Sequence, residues 1–194
     1  MAVLERRRVA LFGGTFDPIH QGHLEIARRA VEDVGLDEVV FLPCRQSPHK
    51  VEAAGASGEQ RCAMLRLATE GISWARVDDW ELRQEGANYS WKTAEWFKGA
   101  LPGCRLYWLM GADQWKVVNE WARADYLASL VTFLVHDRQG SLGEGEFEAI
   151  FLRGEHPASA SEIRDLIGRG EAVPGGWLDG SVAQFVSSES LYRH

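Results

Sequence analysis

The sequence predicts an α/β fold with a doubly wound, mostly parallel sheet. Two observations carry this. Short β-type runs alternate with amphipathic helical stretches, and most of those runs are near-continuously apolar, as strands covered on both faces are. A length of 194 residues with 45% hydrophobic content supports a sizeable core. The expected organisation is one domain over 1–194, including a C-terminal helical segment from about 159.

In order, "VALF" (9–12) is a first strand, and "HLEIARRAVEDVG" is a helix with Leu24, Ala27, Val31 and Val34 on one face. Gly35 suits its C-cap, and "EVVFLP" (38–43) is the second strand. "EQRCAMLRLATEG" (59–71) reads as a helix and "ARVDDWEL" (75–82) as an alternating strand. "SWKTAEWFKGAL" (90–101) follows as a helix with Ser90 at its N-cap. "RLYWLMG" (105–111) is a buried strand, "RADYLASL" (123–130) a helix, and "VTFLV" (131–135) and "AIFL" (149–152) are strands. This alternation is Rossmann-like. The polar, glycine-bearing stretches 52–58 and 137–146 read as surface loops.

The net charge of −7 disfavours a general nucleic-acid surface, so any phosphate site must be local. The three cysteines, Cys44, Cys62 and Cys104, show no metal-ligand spacing and read as reduced thiols. No run of eighteen apolar residues occurs, and "MAVLERRRVALF" lacks the apolar core of a secretory signal. The expectation is a cytoplasmic protein that engages neither membrane nor nucleic acid, with homo-oligomerisation left open.

The chemistry concentrates in "FGGTFDPIHQGH" (12–23), between the first strand and first helix. Ligands of open α/β sheets bind beyond the carboxyl ends of the strands. Gly13 and Gly14 allow close backbone approach, and a helix beginning near Gly22 offers amide N–H groups and its positive dipole end to an anion. His20 and His23, three residues apart, can direct ring N–H groups at one polyphosphate. A His-x-x-His pair alone also fits a metal site; the glycines and flanking elements favour phosphate. GxGxxG is absent, which disfavours a dinucleotide-dehydrogenase loop.

"GGTFDPIHQGH" resembles the signature of the nucleotidylyltransferase superfamily, whose T/HxGH histidines bind the triphosphate of ATP. The match is closer to bacterial nicotinate-nucleotide adenylyltransferases than to phosphopantetheine adenylyltransferases, which usually carry threonine at the place of His20. "SPHK" (47–50), "GANYSWKT" (86–93), "GAD" (111–113), "EW" (120–121), "SASEIR" (159–164) and the tail "FVSSESLY" resemble that family in the same order. The resemblance implies a nucleotidyltransferase fold and adenylyl transfer from ATP to nicotinate mononucleotide in NAD biosynthesis, with Mg2+ bound mainly through the ATP phosphates. It implies His20, His23 and Arg164 as catalytic residues. Gly13, Gly14, Thr15, Phe16, Gly111, Asp113 and Ser161 join them around ATP; Gly14, Asp17, Lys50, Tyr89, Thr93 and Trp121 serve the mononucleotide.

Several of these residues carry a second reading. Lys50 is also an ordinary surface cation, and Asp17 beside Pro18 a turn-stabilising acid. Asp113 is either a ribose or water-bridged Mg2+ acceptor or the N-cap of "DQWKVV". Ser159 and Glu162 form a capping-box pattern, which leaves Ser161 and Arg164 as a phosphate clamp. Trp121, one of eight tryptophans, is either core or the stacking face for a pyridine ring; Ala122 follows it where the family usually has an aromatic residue or histidine. A phosphopantetheine adenylyltransferase-like enzyme and a catalytically silent nucleotide-binding module are the alternatives. The latter predicts loss of His20, His23 or Arg164, and all three are present.

Overall fold

The computed structural model describes residues 6–45, 55–137 and 145–193. Six strands form one sheet: β1 (Arg8–Gly14), β2 (Glu38–Pro43), β3 (Ala75–Val77), β4 (Arg105–Gly111), β5 (Thr132–Asp137) and β6 (Ala149–Arg153). Their order is β3-β2-β1-β4-β5-β6 and every pairing is parallel. The chain winds outward from β1 in one direction and from β4 in the other, so the topological switch point lies between those two strands.

Strand alternation divides the interior into two layers. On β1 and β2, Ala10, Phe12, Val39 and Phe41 face one core, which α1 (Gln21–Val34), α2 (Gly58–Ala68) and α7 (Gly180–Ser188) cover. Val9, Leu11, Val40 and Leu42 face the other, covered by α3 (Ser90–Ala100) and α5 (Ala124–Leu130). Between these run the short α4 (Ala112–Trp115) and α6 (Ala160–Gly168). Gly35 caps α1 at φ 67°, and its N–H donates to Val31 O, as its residue type foretold.

Three local expectations are corrected. "ARVDDWEL" is a strand only over Ala75–Val77; the Asp78 carboxylate then accepts the Trp80 N–H at 2.9 Å and turns the chain into a short 3₁₀ helix, Trp80–Arg83. Ser90 is the first helical residue of α3, and Tyr89 takes the N-cap position without a side-chain cap. Asp113 lies within α4, whose N-cap is Gly111.

Candidate active site

β1 ends at Gly14, beside the switch point, and the chain turns through Thr15–Ile19 into α1. His20 is the N-cap residue. Its backbone N–H donates to His23 Nδ1 at 3.3 Å, and the two rings lie 3.8 Å apart, tilted by 33°. With Nδ1 accepting, neutral His23 carries its proton on Nε2, where it can donate outward. Phe16 supports this ring edge-on at 5.0 Å, and Phe12 packs behind it.

The glycines have specific neighbours. A Cβ at Gly22 would lie 2.9 Å from His20 Cε1 and 3.3 Å from the Ala158 carbonyl, so only glycine admits both the imidazole and the approach of the α6 segment. A Cβ at Gly14 would meet the Phe16 ring at 3.0 Å, and one at Gly13 would meet Trp108 at 3.3 Å. On their Cβ sides these two glycines make room for protein rings. Gly111, at the carboxyl end of β4, has open space on its Cβ side. The helix amides are also more committed than expected: Gln21 N–H donates to Trp177 O at 2.8 Å and His23 N–H to His20 O.

Ala158 is wholly buried against the start of α1, which brings α6 to the histidines. Ser159 occupies the α6 N-cap position, but its hydroxyl pairs with Ser161 Oγ at 2.9 Å and no side-chain cap forms, so the expected capping box is absent. Arg164, half-buried, donates from Nη1 to the Asp17 carbonyl at 2.6 Å. Asp17 is buried; its carboxylate accepts from Gly55 N, Ala56 N and the Tyr192 hydroxyl, and so holds the turn.

Further along the sheet edge, the start of α3 presents Tyr89, which is exposed, with the Lys92 ammonium 5.7 Å from its ring. Trp121 is half-buried in the connection before α5 and packs on the second core. The Arg123 guanidinium beside it lies between Trp91, at 4.4 Å, and Tyr126, at 4.2 Å. Thr93 is fully buried, and its hydroxyl donates to Glu81 Oε1 at 2.6 Å. It ties α3 to the 3₁₀ turn that holds Glu81. Burial pushes the Glu81 carboxyl up to about 7, against the opposing Thr93 hydrogen bond.

A Cytidylyltransferase-like family model matches residues 11–166. A probable nicotinate-nucleotide adenylyltransferase of Neisseria gonorrhoeae is 41% identical over 96% of this chain and 99% of its own length. One from Neisseria meningitidis serogroup B is 36% identical with the same coverage. The chain belongs to this adenylyltransferase family. The Plasmodium falciparum nicotinic acid mononucleotide adenylyltransferase complexed with NaAD shares the fold, with a TM-score of 0.77 at 16% identity over 96% of this chain and 98% of that one.

Of the residues that the adenylyltransferase resemblance singles out, His20 stacks on His23, and Arg164 bonds the Asp17 carbonyl in the turn that leads to them. Gly111 lies at the same sheet edge, on the strand beside β1, whereas Asp113 and Ser161 are exposed at the first turns of α4 and α6. Phe16 enters through support of His23, with its own ring buried. Lys50 lies outside the described residues, as do parts of both expected loops.

Sequence reasoning passed over Arg61, Glu81, Asn88 and Tyr192. Buried Arg61 donates to the carbonyls of Thr15, Cys44 and Ala56, tying together the turns after β1 and β2 and the entry to α2. Asn88 accepts from Arg45 N and donates to Glu81 O. The family's "LY" ending was the only sequence signal for Tyr192; the others read as ordinary helix or loop polar residues.

The Glu81 shift has a sign that can be tested. A carboxyl raised from 4.5 to about 7 in the folded state contributes stability that is complete below 4.5 and lost as pH rises through 7. Glu81→Gln keeps an oxygen acceptor for Thr93 and removes the ionisation. Between pH 4.5 and 8 the variant is expected to gain roughly 3 kcal/mol relative to the unmodified protein in denaturant unfolding. Parallel pH dependences in the two proteins would contradict an uncharged, buried Glu81.

Proposed function

We propose that the chain transfers the adenylyl group of ATP to nicotinate mononucleotide, giving nicotinate adenine dinucleotide and pyrophosphate in NAD biosynthesis. The observation that carries this reading is the stacked His20 and His23 pair at the start of α1, beside Arg164 at the sheet's switch point, in a chain that matches the adenylyltransferase relatives end to end. The mononucleotide's 5′-phosphate oxygen forms a bond to the α-phosphorus of ATP as the bond to the β-phosphate oxygen breaks, and pyrophosphate leaves with that electron pair. No side chain becomes covalently attached.

Such a transfer depends on positioning and on donors aimed at developing charge. His23 Nε2–H, His20 and Arg164 line the triphosphate, with Ser161 at the start of α6; open space at Gly111, with Asp113 after it, receives the nucleoside side of ATP. Tyr89 and Trp121 flank the pyridine ring, and the α3 start supplies amide donors for its carboxylate. Asp17 and Thr93 hold that site from beneath, and Lys50 is assigned to the mononucleotide phosphate by resemblance.

Among the described residues no group of three or more His, Cys, Asp or Glu side chains could hold a metal ion. Mg2+ carried by ATP would neutralise charge on the triphosphate, while His20, His23 and Arg164 supply the protein's own donors to it. Among the described residues no helix is long and apolar enough to cross a membrane. Action in the cytoplasm is part of the proposal.

The test is pyrophosphate release from ATP with Mg2+ and each acceptor in turn. Turnover is expected with nicotinate mononucleotide, and at a lower kcat/KM with nicotinamide mononucleotide. Turnover with phosphopantetheine alone would overturn the acceptor; silence with every acceptor would favour a binding module.

A further inference from the structure

Asp17 is the acid within the turn that leads to the histidines, and only 5% of it is exposed. Its carboxylate is filled by neutral donors: Gly55 N at 2.7 Å on Oδ2, and Ala56 N at 3.1 Å and the Tyr192 hydroxyl at 2.7 Å on Oδ1. Arg164 is close enough to compete, with Nη1 3.9 Å from Oδ2, yet its hydrogen bond goes to the Asp17 main-chain carbonyl. An Arg–carboxylate pair would ordinarily close to direct, charge-assisted contact. Neutral donors thus set the orientation of the carboxylate: Gly55 N holds Oδ2, the oxygen 3.9 Å from Arg164 Nη1, while Ala56 N and the Tyr192 hydroxyl hold Oδ1.

Tyr192 reaches this place by an unusual path. The end of the chain passes through left-handed conformations at Ser190 (φ 52°) and Tyr192 (φ 63°), while Leu191 between them is buried in the core beside α7. The tyrosine ring then packs where a Cβ on Gly55 would lie 3.1 Å away. Burial and the neighbouring Asp17 charge push the phenol upward, so it remains a donor at working pH.

We infer that Tyr192 is a positioning residue that keeps Arg164 available to the triphosphate by holding the Asp17 carboxylate, through Oδ1, in an orientation that does not close onto the guanidinium. Without the hydroxyl, the carboxylate turns toward Arg164, pairs with it, and withdraws its charge from the phosphate site. The inference rests on the ATP role proposed above for Arg164, and a binding measurement separates the two.

The experiment is isothermal titration of the full chain with ATP and Mg2+, with melting temperatures measured in parallel. Tyr192→Phe is expected to weaken binding about tenfold. Adding Asp17→Asn, which removes the competing charge and keeps an oxygen acceptor, is expected to recover affinity to within about threefold of the unmodified protein. A purely structural role for Tyr192 would not be rescued in this way. Unchanged binding by Tyr192→Phe, or a double variant no tighter than Tyr192→Phe alone, would overturn the inference and leave the functional reading standing. An unmodified protein that does not bind ATP would overturn both.

Discussion

His23→Ala is expected to lower kcat/KM a hundredfold or more. The imidazole is held on three sides: the His20 N–H fixes Nδ1 as acceptor, the His20 ring stacks against it, and Phe16 meets it edge-on. A donor oriented before the substrate arrives costs no reorganisation as charge develops, and loss of one such donor removes on the order of ~3 kcal/mol of transition-state stabilisation. Alanine suits the first turn of α1 but leaves the His20 N–H without its Nδ1 acceptor, so the melting temperature is measured beside the kinetics. Single-turnover kinetics with saturating ATP would measure the loss in the chemical step. A variant within threefold of the unmodified protein would remove His23 from the mechanism.

Arg61→Leu is expected to produce the largest loss of stability, ~3–5 kcal/mol. The guanidinium, 2% exposed, donates to Thr15 O at 2.7 Å, Cys44 O at 2.8 Å and Ala56 O at 3.3 Å. Leucine fills part of the volume but leaves three main-chain carbonyls without this donor, and hydrogen bonds to charged groups are worth more than neutral ones. For a chain of this length the melting temperature should fall by roughly 10 °C. Activity should suffer beyond the loss of folded protein, because Thr15 belongs to the turn that carries the histidines. A melting temperature within 2 °C of the unmodified protein would show that the three carbonyls find other donors at little cost.

What was legible in the sequence followed from local periodicity and residue chemistry. The apolar runs at 38–43 and 105–111 became β2 and β4 at those bounds, because a strand covered on both faces needs apolar residues at every position. Glycine and two histidines in one segment singled out the passage from β1 to α1, where the two imidazoles lie 3.8 Å apart. What the pattern missed depends on distant partners. Arg61 looks like any helix-surface arginine until three carbonyls from separate turns converge on it. The alternation in "ARVDDWEL" suggested a long strand, but the Asp78 carboxylate captured the Trp80 amide and ended it. Ser159 and Glu162 had capping-box spacing, yet Ser161 offered the Ser159 hydroxyl a nearer partner. At Gly13 and Gly14 the sequence could not show which rings lie against the Cβ side: Trp108 comes from a neighbouring strand and Phe16 from the turn itself.

The central claim is transfer of the α-phosphoryl group with its nucleoside to a pyridine mononucleotide. The most direct measurement follows ATP labelled at the α- or the γ-phosphorus in the presence of Mg2+ and nicotinate mononucleotide. The account predicts that α-label appears in nicotinate adenine dinucleotide and γ-label in pyrophosphate, in equal amounts. Release of α-label as ADP or AMP, or transfer of γ-label to the mononucleotide, would contradict it.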